Sequence, residues 1–111
     1  MITAKTTAKQ TARAVRLWVE GAKPAASGFT PNATYSITYG VGRKTYLRDG
    51  FITLTLDPNG SRRVTKATRN GKARPIIDLH SAEVAAVFAG GTPIEVAYLD
   101  GSIMLDRKSV V

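Results

Sequence analysis

The sequence presents one order of elements twice, and this internal repeat limits the possible folds more than any other feature. Each copy is predicted to contain a strand, a short helix, a turn, a strand, a glycine turn and a final strand. The copies span residues 14–57 and 73–106. One unit of roughly 35 residues cannot bury both faces of its own hairpin. Two such units in one chain can share a single core, which we expect around Phe29 and Phe88.

Two shifts align the copies. A shift of 59 residues places Trp18 on Ile77, Ala26 on Ala85, Phe29 on Phe88, Ile37 on Val96 and Tyr39 on Tyr98. A shift of 51 residues places Gly50, Ile52 and Leu54 on Gly101, Ile103 and Leu105. Sequence identity between the copies is low, so a chance recurrence of strand and turn signals is the alternative explanation.

Local signals support the individual elements. Residues 34–40 and 50–57 alternate apolar and polar side chains, which is typical of half-buried strands. Residues 81–88 are the best helix, because Ser81 suits the N-cap position and an Ala-rich segment follows it. Asn70-Gly71 suits a two-residue type I′ turn, in which both central residues need positive φ.

The second copy, PIIDLHSAEVAAVFAGGTPIEVAYLDGSIMLD, resembles the swapped-hairpin unit of the AbrB/SpoVT/MazE superfamily, which includes SymE-like toxins. The positions that carry the resemblance are Phe88, Gly91, Ile94, Val96, Asp100-Gly101, Ile103 and Leu105. In the first copy, GFTPNATYSIT and DGFITLTL are similar, and GFTPNA is especially like the SymE variant. The resemblance covers about two-thirds of the chain. It implies a small β-rich fold in which two hairpin units interleave.

We therefore expect a mostly β (α+β) fold in which two strand–helix–hairpin units form a compact, pseudo-dimeric, β-barrel-like domain. That domain spans residues 13–106, and an additional basic hairpin over residues 58–74 joins its repeats. Residues 1–12 contain two Lys and no apolar core, so they are predicted to be a flexible basic arm. The sequence leaves open whether two chains pair again as a homodimer.

Positive charge is both abundant and clustered. The chain has 16 Lys and Arg against eight Asp and Glu, a formal net charge of +8. The segment SRRVTKATRNGKARPIIDL, residues 61–79, contains six cations and no carboxylate before Asp78. Residues 61–68 are predicted to form a single strand, along which Arg62 and Lys66 line one side. Such clustering favours a polyanionic partner, nucleic acid above all. The alternative is an edge strand that its charges protect against aggregation.

The resemblance implies DNA binding through basic residues on a surface that both units form. This chain lacks the usual Pro-Lys-x-x-Arg run at the first helix, so we assign the contact to its own cations, on the 41–48 loop and on the 61–74 hairpin. Tyr46 in the same loop is a candidate for base stacking. The predicted nucleic-acid-binding residues are Arg43, Lys44, Arg48, Arg62, Arg63, Lys66, Arg69, Lys72 and Arg74.

The function expected is that of a small cytoplasmic DNA-binding protein, a regulator or a nucleoid or mobile-element factor, with RNA as a second polyanion. One alternative is a SymE-like RNA-acting toxin, for which His80 oriented by Asp78 would be the general base. Another is a protein that docks on an acidic protein surface. We expect no enzyme activity, cofactor or metal site, because no spacing of His, Asp and Glu suggests one and Cys is absent. No apolar run reaches the length of a membrane span.

Overall fold

The computed structural model describes residues 2–41 and 50–107, and in these residues the protein is mostly β, with two short helices. The strands are β1 Ile2–Thr7, β2 Lys9–Gln10, β3 Val15–Glu20, β4 Thr34–Val41, β5 Gly50–Leu56, β6 Arg62–Arg63, β7 Thr65–Arg69, β8 Lys72–Leu79, β9 Pro93–Leu99 and β10 Ser102–Arg107. The helices are α1 Ala22–Ala26 and α2 Ala82–Val87. Neither is long and apolar enough to cross a membrane, and no other helix lies in these two ranges.

The strands form two open antiparallel sheets. One has six strands in the order β1-β9-β10-β5-β4-β6, and the other has four in the order β2-β3-β8-β7. Neither sheet closes, so the expected barrel-like closure is not found among these strands. The larger sheet stays open because its two end strands do not pair with each other. β1 has six residues and pairs only with β9, whereas β6 has only two residues and pairs only with β4.

The six-stranded sheet is built from two hairpins, β4–β5 and β9–β10, that meet through the pairing of β5 with β10. Along this central pair, Ile52 faces Leu105 and Leu54 faces Ile103. All four side chains are fully buried. Alternation of apolar and polar residues in the sequence therefore predicted these strands correctly, because one face of each packs against the core.

The four-stranded sheet has β3 and β8 at its centre. Val15, Leu17 and Val19 of β3 are buried, as are Ile77 and Leu79 of β8. The alternate residues point away from the core and define what we call the outer face. Register extends this face to the flanking strands, and its members are Lys9, Arg16, Trp18, Glu20, Thr65, Ala67, Lys72, Arg74, Ile76 and Asp78.

One hydrophobic core receives side chains from both sheets and from both segments that the sequence predicts to be copies, residues 14–57 and 73–106. Phe29 and Phe88, which follow α1 and α2, are both buried there, and Phe29 contacts the ring of Tyr35 at a centroid distance of 5.8 Å. The expectation of a shared core around the two Phe residues is confirmed. The helices contribute one buried residue each, Pro24 and Val84.

Two segments differ from the sequence-based expectation. Residues 2–7, predicted to be part of a flexible arm, form the edge strand β1 and pair along their whole length with β9. Ala4 and Thr6 alternate with more exposed neighbours, and Ala4 packs against the core. A Thr-rich segment suits a half-buried strand, so the polar composition concealed a sheet element.

The cationic segment is also not one strand over residues 61–68. It breaks at Val64, whose side chain is fully buried: β6 before it pairs with β4, whereas β7 after it pairs with β8. The chain therefore crosses from one sheet to the other at Val64. The second strand of the hairpin beyond this crossing, β8, continues to Leu79, so the hairpin is an extension of the four-stranded sheet.

The shift of 59 residues is wrong for the first strand of each copy. It aligns Trp18, which is exposed, with Ile77, which is buried. A shift of 60 residues aligns Trp18 with Asp78 on the outer face and the N-cap residue Gly21 with Ser81. Side chains alternate along a strand, so an error of one residue exchanges the two faces.

Candidate nucleic-acid interface

A tight turn closes the hairpin of β7 and β8. Asn70 and Gly71 have φ angles of 53° and 75°, and the flanking residues Arg69 and Lys72 are register partners. Two central residues with positive φ define the type I′ turn that matches the twist of a two-stranded ribbon. The prediction for Asn70-Gly71 is confirmed.

The outer part of this hairpin, residues 65–74, is named the ribbon, and it is bare on both faces. Residues 65–68 and 70–74 are all exposed, and burial of β8 begins only at Pro75. The described cations of the ribbon lie on opposite faces: Lys72 and Arg74 share the outer face, whereas Lys66 pairs with Pro75 and points to the other side. Arg74 extends toward Gly21, where a Cβ atom would lie 3.2 Å from its Nη2.

Arg62 and Arg63 belong to β6 at the edge of the six-stranded sheet. Both are exposed, and they pair with Tyr35 and Thr34 of β4. The sequence-based expectation that Arg62 and Lys66 line one side of a single strand is wrong, because the crossing at Val64 puts them on different sheets. The six cations of the segment thus divide into a pair beside β4 and a group on the ribbon.

The charge of Arg62 affects two neighbouring acids. Burial raises the pKa of the Tyr35 hydroxyl, and the positive charge of Arg62 opposes this rise. The pKa of Glu83 is lowered, first by a hydrogen bond from its own backbone N–H, then by one from Ser81 and last by the charge of Arg62. Arg62 is nevertheless not in an ion pair, since no described carboxylate oxygen lies within 4.0 Å of its guanidinium.

The other described cations of the site are likewise unpaired. In residues 2–41 and 50–107, no carboxylate forms an ion pair with Arg63, Lys66, Lys72 or Arg74. Because like charges on adjacent strands repel each other, a binding anion would relieve this repulsion. The ribbon and β6 together present five positive side chains to solvent, and none of the five forms an ion pair with a described carboxylate.

The remaining predicted residues cannot be placed with these five. Arg43, Lys44, Arg48 and Tyr46 lie outside the described residues. Arg69 is described only by its backbone, at the end of β7 beside the turn.

Sequence reasoning missed an ion pair on the outer face. Arg16 donates from Nε to Oδ1 of Asp78 at 2.8 Å and from Nη2 to Oδ2 at 2.7 Å. The guanidinium carbon of Arg16 also lies 4.6 Å from the centre of the Trp18 ring. The alternation of Val15, Leu17 and Val19 already placed Arg16 and Trp18 on one face, but nothing local identified Asp78 as the partner.

Asp78 does not orient His80 as the catalytic alternative requires. Both carboxylate oxygens of Asp78 accept from Arg16, and no hydrogen bond joins Asp78 to the exposed His80. Ser81 occupies the N-cap of α2 as expected, but its side chain makes no capping bond to the helix backbone. Its hydroxyl lies 3.2 Å from that of Tyr39 instead.

Comparison of the chain with known protein families, curated proteins and solved structures found no match. The geometry and charge of the ribbon, β6 and the outer face therefore carry the functional assignment.

Proposed function

We propose that the protein binds nucleic acid, and double-stranded DNA in particular, by inserting the ribbon into the major groove. One observation carries the proposal: residues 65–68 and 70–74 are exposed on both faces while Lys66, Lys72 and Arg74 have no carboxylate partner among the described residues. The alternative is that the charges only protect a sheet edge against aggregation. We would then expect one face of the edge strand to pack on the core. A ribbon bare on both faces has two surfaces free for a ligand.

The dimensions of a two-stranded ribbon suit this partner. Neighbouring strands are about 4.8 Å apart, and the major groove of B-DNA is about 12 Å wide. Cations on opposite faces of the ribbon would then meet phosphates on opposite walls of the groove. Phosphate contacts position the protein, whereas Arg74 can also donate two hydrogen bonds to a guanine edge.

Arg62 and Arg63 add a second contact beside the ribbon. They precede the crossing at Val64 and so remain next to the root of the hairpin. The five cations together would neutralise about five phosphates, which predicts a slope of about −4.5 for log affinity against log salt. Arg43, Lys44 and Arg48 belong to the proposed site by sequence alone.

We also propose that the chain is two AbrB/SymE-like swapped-hairpin units joined in one polypeptide. The element order β-β-β-α-β-β occurs twice. Thr53 pairs with Met104, its own counterpart under the shift of 51, and Trp18 pairs with Asp78, its counterpart under the shift of 60. A twofold rotation relating the units predicts such self-pairing at the centre of each sheet. In this proposal β1–β2 and β6–β7 extend the two units at their N-terminal ends. β1 of the first unit then pairs with β9 of the second, and β6 of the second pairs with β4 of the first.

The resemblance to that superfamily supports a role as a small cytoplasmic regulator of transcription or as a nucleoid or mobile-element factor. The two other hypotheses predict different results when the protein is mixed with nucleic acid. An RNA-acting toxin would degrade RNA, and a protein that docks on an acidic partner would ignore nucleic acid at low salt.

The test is a titration of a 20-base-pair duplex with the protein over a salt series. The variant Lys66→Glu/Lys72→Glu/Arg74→Glu should lose more than about 100-fold in affinity at low salt, because repulsion replaces attraction at three phosphates. The control Lys5→Glu/Arg13→Glu/Lys23→Glu changes net charge equally at exposed cations off the ribbon. It should retain affinity within about threefold. Equal losses of affinity in both variants would refute the ribbon as the site and leave only attraction by net charge. Absence of binding by the natural protein would refute the proposal as a whole.

A further inference from the structure

Trp18 is unusual among the large apolar side chains of residues 2–41 and 50–107. It is 40% exposed, although it lies on β3, a central strand of its sheet. Ile2, the other exposed large apolar residue in these ranges, is on an edge strand beside the chain end. An indole in the middle of an open sheet face keeps apolar area in contact with water, which costs free energy. Such a position is favoured where the ring has a ligand.

The neighbours of Trp18 hold a second flat group in place. The bidentate bond to Asp78 fixes the plane of the Arg16 guanidinium, which lies 4.6 Å from the ring centre. An arginine guanidinium stays charged at physiological pH, and the hydrogen bond to Asp78 raises the pKa of Arg16 further. Aromatic rings and guanidinium planes are the two surfaces on which proteins stack nucleic-acid bases.

Cations lie on both sides of this pair along the outer face. Lys9 lies on the neighbouring strand β2 and pairs with Arg16, so it is displaced from Trp18 by two positions, about 7 Å, along the strand direction. On the neighbouring strand β8, Arg74 and Lys72 are displaced in the other direction by four and six positions, about 13 and 20 Å. Glu20 is the remaining described carboxylate of the face, since Arg16 neutralises Asp78. The face therefore offers a stacking centre between two phosphate contacts.

The kind of contact decides which form of nucleic acid can bind Trp18. In a duplex, neighbouring base pairs cover the faces of each base, and only the base edges line the grooves. A duplex can thus touch the outer face with its backbone, but its paired bases present no free face to the indole ring. An unpaired base can lie flat on the ring.

We infer that the outer face is a second binding site, which takes a single strand of DNA or RNA and stacks an unpaired base against Trp18 and Arg16. The inference rests on the proposed affinity for nucleic acid and adds a substrate class to it. Lys72 and Arg74 belong to both surfaces. The ribbon enters a duplex groove, whereas the part of the outer face around Trp18 accepts a strand whose bases are free.

Trp18 is the single Trp of the chain, so its fluorescence reports on this site alone. Titration with a 12-residue oligothymidylate should quench the emission, and a 20-base-pair duplex should bind without comparable quenching. Trp18→Leu, measured with a labelled oligonucleotide, should weaken single-strand binding about 5- to 150-fold. Its affinity for the duplex should stay within about twofold, and Ile2→Ala should alter neither affinity.

Arg16→Lys provides a second test, because it keeps the charge and removes the fixed planar fork. We expect weaker single-strand binding with no change in duplex binding. Two results would overturn the inference and leave the proposed function intact. In the first, the protein binds the duplex but the oligothymidylate does not quench the emission of Trp18. In the second, Trp18→Leu binds the duplex and also keeps its affinity for the single strand. Quenching by single strands without any duplex binding would support the inference and refute the duplex proposal. Failure of both probes to bind would refute both.

Discussion

Ala8 and Val64 occupy matching places at which the chain passes from the larger sheet to the smaller one. The N–H of Ala8 donates to the carbonyl of Thr92 at 2.9 Å, and that of Val64 donates to the carbonyl of Ala33 at 2.8 Å. The carbonyl of each then accepts one bond, from Gly91 at 2.6 Å and from Asn32 at 3.0 Å. Both side chains are completely buried. The crossing is therefore a repeated structural device.

Truncation at this crossing should be costly. Val64→Ala removes two buried methyl groups at the point where both sheets meet, so we expect a loss of about 1–3 kcal/mol in the free energy of unfolding. Denaturant titration measures the change. Thr68→Ala on the exposed ribbon is the control and should stay within about 0.5 kcal/mol. Equal stability of the two variants would contradict the assignment of Val64 to the core.

Substitution of Gly71 tests the turn by its backbone conformation. A Cβ atom there would meet nothing within 4 Å, so steric clash with neighbours is absent. The residue has φ of 75°, however, and a side chain in the left-handed region costs roughly 1–2 kcal/mol. Gly71→Ala should lower stability by about that amount, whereas Asn70→Gly should be nearly neutral. Thermal unfolding compares the two, and an unaffected Gly71→Ala would disprove the type I′ turn.

Alkaline pH should weaken the fold through two tyrosines. Burial raises the pKa of both Tyr35 and Tyr98 above the ordinary value of about 10. The unfolded chain therefore releases these protons first, and stability falls as pH rises from about 10 to the raised values. Tyr35→Phe/Tyr98→Phe should flatten this part of the stability profile. Arg62→Gln should steepen it, because its charge opposes the rise at Tyr35. A profile unaltered by the double variant would argue against the burial of the two hydroxyls.

Charge reversal on β6 separates its contribution from that of the ribbon. Arg62→Glu/Arg63→Glu should weaken duplex binding and make the salt slope about 1.8 units shallower, since two phosphate contacts are lost. The melting temperature should change little because both side chains are exposed. Lys5→Glu/Lys23→Glu is the matched control. An unchanged slope in the β6 variant would remove Arg62 and Arg63 from the interface.

Local sequence signals predicted the hairpin turns and the strands whose faces alternate. Asn70-Gly71 and the buried Ile52 and Leu54 are examples, because each conformation depends on residues a few positions apart. The predictions that failed depended on pairing across the chain. Val64 was predicted to lie within one continuous strand. The residues next to it do not reveal that the segment before it pairs with β4 and the segment after it pairs with β8.

The candidate site was predictable in composition and less so in arrangement. Clustering identified Lys66, Lys72 and Arg74 as exposed cations, and the structure places them on a bare ribbon. The stack of Arg16 on Trp18 was not predicted, because its third member, Asp78, lies 62 residues away. An alignment displaced by one residue also hid the fact that Trp18 faces solvent.

The strand order has a consequence for how the protein is made. β1, β3 and β5 all precede residue 57, yet each pairs with a strand from the later half, β9, β8 or β10. A nascent chain that has emerged only as far as β5 leaves the apolar sides of these strands without their partners. Both sheets can therefore be completed only once β10 is available, and a chain that stops before β10 exposes unpaired strand edges, which favour aggregation.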